Sequence, residues 1–298
     1  MDKLNKKVIK KKNSSRKVSV IIPAFNEAEV IGKIIKEVKK QNQVDEILVV
    51  DDASTDGTKE AAVKVGAKVI RHPYNKGNGA SVKTGIRNVK NELIILMDGD
   101  GQHNPAFIPK FIELLKDYDL VIGSRDAAAE ANALRRFGNN ILKKIASYLS
   151  GYKIKDLTSG FRAVKKECIK EFVPLFPNRY SYPTTSTLAF LKAGYNVGYL
   201  PITTEKRVGK SKLKPFRNGF KFILIILRIS TLFSPMKFFF PLSLLSTVSG
   251  LIYGLYAVID HMKLPNTAVL LISVGILIFM MGLISEQIAM LRFERHDR

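Results

Sequence analysis

A chain of 298 residues and 33.3 kDa is long enough for one large domain or two modest ones, and its 46% hydrophobic and 25% charged residues exclude a disordered or collagen-like chain. The single cysteine, Cys168, excludes a disulfide framework and a cysteine-based zinc site, and the scattered His72, His103, His261 and His296 offer no histidine cage. Lys and Arg number 48 against 26 Asp and Glu, and the resulting +22 calls for an anionic partner: nucleic acid, anionic lipid or a phosphorylated substrate.

Residues 1–17 form a basic arm, with eight basic side chains between Lys3 and Lys17 and one acid, Asp2. It is too polar for a secretory signal and would be drawn to an anionic membrane surface. From Val18 onward, short β-branched runs alternate with helical patterns. Composition predicts strands at Val18–Ile22, Glu46–Val50, Lys68–Ile70, Leu93–Met97 and Leu120–Ile122, and periodicity predicts helices at Glu27–Gln41, Thr58–Val65, Gly79–Val89 and Pro105–Lys116. This is an α/β pattern, a mostly parallel sheet with helices on both faces, in which ligands bind beyond the carboxyl ends of the strands.

Acidic turns follow three of these strands: Pro23-Ala24-Phe25-Asn26-Glu27, Asp51-Asp52-Ala53-Ser54-Thr55-Asp56-Gly57-Thr58 and Asp98-Gly99-Asp100-Gly101-Gln102-His103. Like charges gathered at one edge repel, so a divalent cation there is expected, and hard oxygen ligands favour Mg²⁺ or Mn²⁺ over zinc. A P-loop and a dinucleotide fingerprint are both absent; Asn75-Lys76-Gly77-Asn78-Gly79-Ala80, glycine-rich at a helix start, could approach a nucleotide.

Leu213–Phe233 reads as an amphipathic helix with Arg217, Lys221 and Arg228 on one stripe, suited to a membrane interface. Phe238–Ile259 and Leu264–Ser285 each run 22 residues without a charge, enough to cross a ~30 Å bilayer core, so 238–291 reads as a transmembrane helical hairpin. The tail from Phe238 is neutral and the whole +22 sits in 1–237. The positive-inside rule then places the catalytic part and both termini on the cytoplasmic side of the membrane.

The phrases V-S-V-I-I-P-A-F-N-E, V-V-D-D-A-S-T-D-G-T, N-K-G-N-G-A-S-V-K-T-G and L-M-D-G-D-G-Q-H, followed by Gly123-Ser124-Arg125, Leu157-Thr158-Ser159-Gly160-Phe161-Arg162 and Arg207-Val208-Gly209-Lys210-Ser211-Lys212, resemble the ordered motifs of family-two glycosyltransferases of GT-A fold, specifically the dolichol-phosphate mannose synthase and bacterial polyprenyl-phosphate branch. The likeness covers about Val18 to Arg228. It implies a catalytic domain over 18–212, with Asp98, Asp100 and Gln102 around a metal on the donor diphosphate. It further implies that Pro23, Phe25, Glu27 and Asp52 frame the nucleoside beside Val50, that Gly99 belongs to the donor site, and that Arg207 and Lys212 reach the donor phosphates. Arg125, with Arg135 or Arg136, would hold the phosphate of a lipid acceptor. Phe25 stands where the family often has tyrosine, which removes a hydroxyl.

The implied reaction is an inverting transfer from a nucleotide sugar, GDP- or UDP-linked, to a polyprenyl or dolichyl phosphate. A lipid monophosphate has a second pKa of about 6 and is already a nucleophile at neutral pH, so no strong general base is required. A processive polysaccharide synthase would ordinarily carry Q-x-x-R-W, and the chain has no tryptophan. A membrane-tethered nucleic-acid binder would explain the charge without needing three acidic turns. The sugar, the nucleotide, the polyprenol length and the oligomeric state, including a homo-oligomer, stay open.

Overall fold

The computed structural model describes residues 17–125, 133–179, 182–204, 231, 234–261 and 263–294. Two compact units emerge, one from Met1–Lys143 with Ile154–Lys214 and one from Lys144–Lys153 with Pro215–Arg298, each taken over its described residues.

The first unit carries a sheet of seven strands among the described residues: β1 Val18–Ala24, β2 Val44–Asp51, β3 Lys68–Arg71, β4 Leu93–Leu96, β5 Leu120–Arg125, β6 Arg162–Lys165 and β7 Val197–Ile202. Their order is β3-β2-β1-β4-β6-β5-β7, parallel except for β6, which runs against β4 and β5. All five expected strands form. The sequence reading stopped short of β6 and β7. β6 is four residues, Arg-Ala-Val-Lys, with a cation at each end, and neither alternation nor an apolar run announces it.

Helices α1 Ala28–Lys39, α2 Thr58–Lys64, α3 Asn78–Asn88, α4 Ile108–Leu114, α5 Ala133–Ser150, α6 Lys166–Phe172 and α7 Tyr182–Lys192 complete the layers. In α1 the buried Ile31, Ile34, Ile35 and Val38 fall at helical spacing, with Glu29 in the first turn and Lys36 and Lys39 in the last, each matched to the helix dipole. The expected helix at Pro105–Lys116 is split: Asn104 caps a 3₁₀ turn, Pro105–Phe107, and α4 begins only at Ile108.

Pro23 sits inside a central strand without cost. Met97 N–H donates to the Ile21 carbonyl at 3.1 Å, so the odd residues of β1 face β4, and pairing with β4 ends at Ile21. The missing N–H of Pro23 therefore falls beyond the last β1–β4 pair, at the carboxyl edge of the sheet, and no ladder bond is lost.

The second unit is dominated by α8 Pro235–His261 and α9 Asn266–Glu294. Each contains a 26-residue stretch long and apolar enough to cross a membrane, Pro235–Asp260 and Asn266–Leu291, about 39 Å at 1.5 Å per residue. Leu245, Leu255, Ile259, Leu270 and Leu277 stand exposed on the pair, an apolar surface fitted to lipid. Between the helices, Ser246 donates to the Leu271 carbonyl at 2.8 Å, and the Met236 N–H at the start of α8 donates to Glu286 at 3.0 Å.

In the first unit Phe111 and Phe161, both fully buried, meet at 4.6 Å between ring centroids in the layer beneath the open edge. Phe111→Ala should lower stability by about 3–5 kcal/mol through lost burial and a cavity, read as a depressed thermal unfolding midpoint with the membrane hairpin left intact.

Candidate active site

The turns after β1 and β2 are laced together. Asn26 N–H donates to Ser54 Oγ at 2.9 Å, Thr55 N–H to Asn26 Oδ1 at 2.9 Å, Glu27 N–H to Thr58 Oγ1 at 2.9 Å and Ala28 N–H to Asp56 Oδ2 at 3.1 Å. Asn26 and Ala53 adopt left-handed backbone, φ 55° and 63°, at the apices of these turns. Asp56 also accepts from its neighbour Thr58, and although burial works to raise its pKa, these bonds hold it below the ordinary value.

The expectation that all three acidic turns present charge to a cation is corrected here. Asp51 and Asp52 are 0% and 3% exposed. Asp51 accepts the Ser54 N–H at 3.0 Å, with Arg71 Nε 3.4 Å away. Asp52 accepts from His72 Nδ1 at 2.7 Å and from the Lys76 and Gly77 amides at 2.9 and 2.7 Å, and His72 Nε2 lies 2.9 Å from Thr84 Oγ1. Asp52 therefore braces the 72–77 loop from inside. Val50 is likewise fully buried within β2, and Pro23 is buried within β1. Phe25 and Glu27, half-buried in the turn after β1, are the members of the expected nucleoside frame that reach the surface.

The glycine-rich phrase serves a different neighbour from the one expected. The Gly79 and Ala80 amides at the start of α3 donate to the Arg179 and Asn178 carbonyls at 3.0 and 2.7 Å, and a Cβ on Gly79 would collide with the Pro177 carbonyl. The glycines admit the 177–179 backbone, so these amides are not a phosphate cradle.

In the turn after β4, the polar partners of Asp98 among the described residues stand far off, Asn78 Nδ2 at 3.4 Å and His103 Nε2 at 3.6 Å, and its side chain is 31% exposed. Burial works to raise its pKa, but His103, Asn78 and the more distant Arg125 outweigh it and the carboxyl is held low. Asp100 accepts the Gln102 N–H at 3.2 Å, which folds the turn. Gly99 is buried against β1, where a Cβ would stand 3.0 Å from the Pro23 carbonyl. His103 stacks on Phe161 at 5.1 Å and pairs through its backbone with Thr204. Among the described residues no three His, Cys, Asp or Glu form a ready-made cage. Two carboxylates and an amide carbonyl are hard ligands too few to close a coordination sphere, a set that fits a Mg²⁺- or Mn²⁺-like cation completed by donor phosphate oxygens and water.

Opposite this turn, Arg125 ends β5. Its Nε and Nη2 grip Asp156 at 2.9 and 3.2 Å, and Nη2 also donates to Thr158 Oγ1 at 2.6 Å. Asp156 in turn accepts the Thr158 and Ser159 amides at 2.9 and 3.1 Å. The resemblance pointed to Arg125, but Asp156, which fixes the guanidinium's plane, was not singled out; an Asp two residues before Thr-Ser-Gly is its sequence signal, an Asx-type turn. Arg135 and Arg136 lie in the first turn of α5. Arg207, Lys212 and, but for Thr231, the expected helix at 213–233 fall outside the described residues, as does nearly all of the basic arm.

Residues 19–173 match the family described as glycosyl transferase family 2, and residues 234–291 match the one described as the GtrB C-terminal hairpin. The chain is 35% identical to a dolichol-phosphate mannosyltransferase of Pyrococcus furiosus over 66% of this chain and 59% of that protein, and 29% identical to a dolichyl-phosphate hexose transferase of Haloferax volcanii over 68% and 89%. Glucosyl-3-phosphoglycerate synthase from Mycobacterium tuberculosis, solved with Mn²⁺ and UDP-glucose, shares the fold at TM-score 0.60 and 19% identity, covering 76% of this chain and 82% of that one.

Burial works to raise the Asp156 pKa, but Arg125 and the surrounding amides outweigh it, so its folded value lies below the ordinary carboxylate value. A carboxyl depressed in this way stabilises the fold at neutral pH, and the contribution is lost as pH falls from the ordinary value through the folded one. Asp156→Asn should therefore lower stability at neutral pH by about 1–3 kcal/mol and should flatten the wild type's loss of stability below about pH 4, both read by unfolding scans across pH.

Proposed function

Because the chain belongs to glycosyl transferase family 2, and is a glycosyltransferase, we propose that it moves a hexose, with inversion, from a GDP- or UDP-linked donor to the phosphate of a membrane polyprenyl or dolichyl phosphate. The observation that carries this reading is the pairing, at one sheet edge, of the acidic turn that carries the loosely held Asp98 with a guanidinium fixed on the opposite bank. The names of the relatives and the apolar hairpin support the lipid acceptor; the Mn²⁺ complex of the structural neighbour supports a divalent ion.

In this reading Asp98, Asp100 and the Gln102 carbonyl hold Mg²⁺ or Mn²⁺, which when bound neutralises the departing nucleoside diphosphate. Phe25 and Glu27 border the nucleoside. Arg125, oriented by Asp156 and Thr158, meets the acceptor phosphate together with Arg135 or Arg136. That phosphate, dianionic above about pH 6, attacks the anomeric carbon directly, so the protein's task is placement and charge balance. Arg207 and Lys212 follow shortly after Thr204, whose backbone meets His103 in the carboxylate turn, and would close on the donor phosphates. Residues 18–212 form the catalytic part, 213–233 lie at the membrane interface and 238–291 span it, with both termini cytoplasmic by the excess of positive charge outside the spans.

The test is a panel of radiolabelled GDP- and UDP-sugars incubated with membranes containing the protein and polyprenyl phosphate. A single labelled lipid is expected; label that never enters lipid with any donor sinks the proposal. Asp100→Ala should cut transfer by about 10²–10³-fold at an unchanged unfolding midpoint, and chelation should abolish turnover until Mg²⁺ or Mn²⁺ is returned.

A further inference from the structure

Arg162 opens β6 and is fully buried. It occupies a singular place in the register: across β4 it pairs with Leu96, two residues before Asp98, and across β5 with Ile122, three residues before Arg125. Its partners are neutral. Nε donates to the Ser159 carbonyl at 2.7 Å, Nη2 to the Leu157 carbonyl at 3.3 Å, and Nη1 to Ser186 Oγ and Thr187 Oγ1 at 2.9 and 2.8 Å. No ion pair to it occurs among the described residues. Burial lowers its pKa, while Asp156 and Asp98 act on it from a distance to raise it.

A guanidinium without a carboxylate in contact is an expensive way to fill a core. What it holds explains its presence. The 156–161 turn touches both banks of the site: Asp156 and Thr158 grip Arg125, and Gly160 lies so close to Asp98 that a Cβ there would overlap the carboxylate. Arg162 seizes two carbonyls of that turn and ties them to α7, whose Tyr182 and Thr184 reach the same turn at the Gly160 and Leu157 carbonyls.

Resting on the proposed lipid-phosphate transfer, we infer that Arg162 is a positioning residue that sets the separation between the donor's carboxylate turn and the acceptor's arginine, and so decides whether the lipid phosphate or water attacks the sugar. Neither bank moves alone while the turn is anchored. Loosening the anchor displaces Arg125 relative to Asp98, whereas the carboxylate turn keeps its own fold through the Asp100–Gln102 and His103–Thr204 contacts.

The experiment uses the full chain in lipid nanodiscs and the donor that the panel selects. Arg162→Lys retains the charge but cannot span carbonyls and hydroxyls together. Ser186→Ala with Thr187→Val leaves the arginine and removes its α7 anchor. Both should bind GDP or UDP with Mn²⁺ within about twofold of wild type, lose transfer by up to about 100-fold for a misplacement near 1 Å, and release a larger share of consumed donor as free sugar. If Arg162→Lys does not fold, the double variant carries the test alone. Transfer and hydrolysis falling in step, or transfer staying within twofold, would overturn the inference. A wild-type protein that labels no lipid would instead overturn the function proposed above.

Discussion

β6 runs against its neighbours, and so its first residue lies level with the last residue of β4, Leu96, and with Ile122 midway along β5. The turn that leads into it, 156–161, is thereby delivered to the carboxyl edge, where every parallel strand also ends. An all-parallel sheet would bring a helix-bound loop to that position; the reversed strand brings a tight turn held at both ends. The carboxylate that orients Arg125 and the glycine that lies against Asp98 both come from this one turn.

The edge also shows how a sheet can gather many acids without mutual repulsion. Asp51, Asp52 and Asp56 are absorbed by amides, by His72 and by Thr58, so their charge is met from within the fold. Asp98 and Asp100 lie beyond the last β1–β4 pair, and the polar contacts around Asp98 are long. The partners each acid finds, more than composition, set apart the carboxylates that build the fold.

The repeating part of the architecture was legible because its signals are short-range. β-branched runs, the isoleucine spacing of α1 and the uncharged lengths of α8 and α9 each declare themselves within one element. The turn that carries Asp98, Asp100 and Gln102 could be singled out for the same reason: the three are neighbours in sequence. What escaped depends on distance along the chain. Asp52 meets a loop 24 residues later, Arg125 meets Asp156 31 residues later, and Gly79 accommodates a backbone nearly a hundred residues away. In each case the residue type suited two roles, ligand contact or internal brace, and only the partner reveals the brace.

The interlaced turns after β1 and β2 carry a practical corollary for anyone retuning donor choice. Asn26 is donor and acceptor to the opposite turn at once, and three of the lacing bonds run from backbone of the first turn to side chains of the second. Transplanting either turn singly from a cousin would strand amides that its counterpart was built to satisfy. The two are exchangeable only as a matched cassette, and natural drift in one should be shadowed by compensating drift in the other.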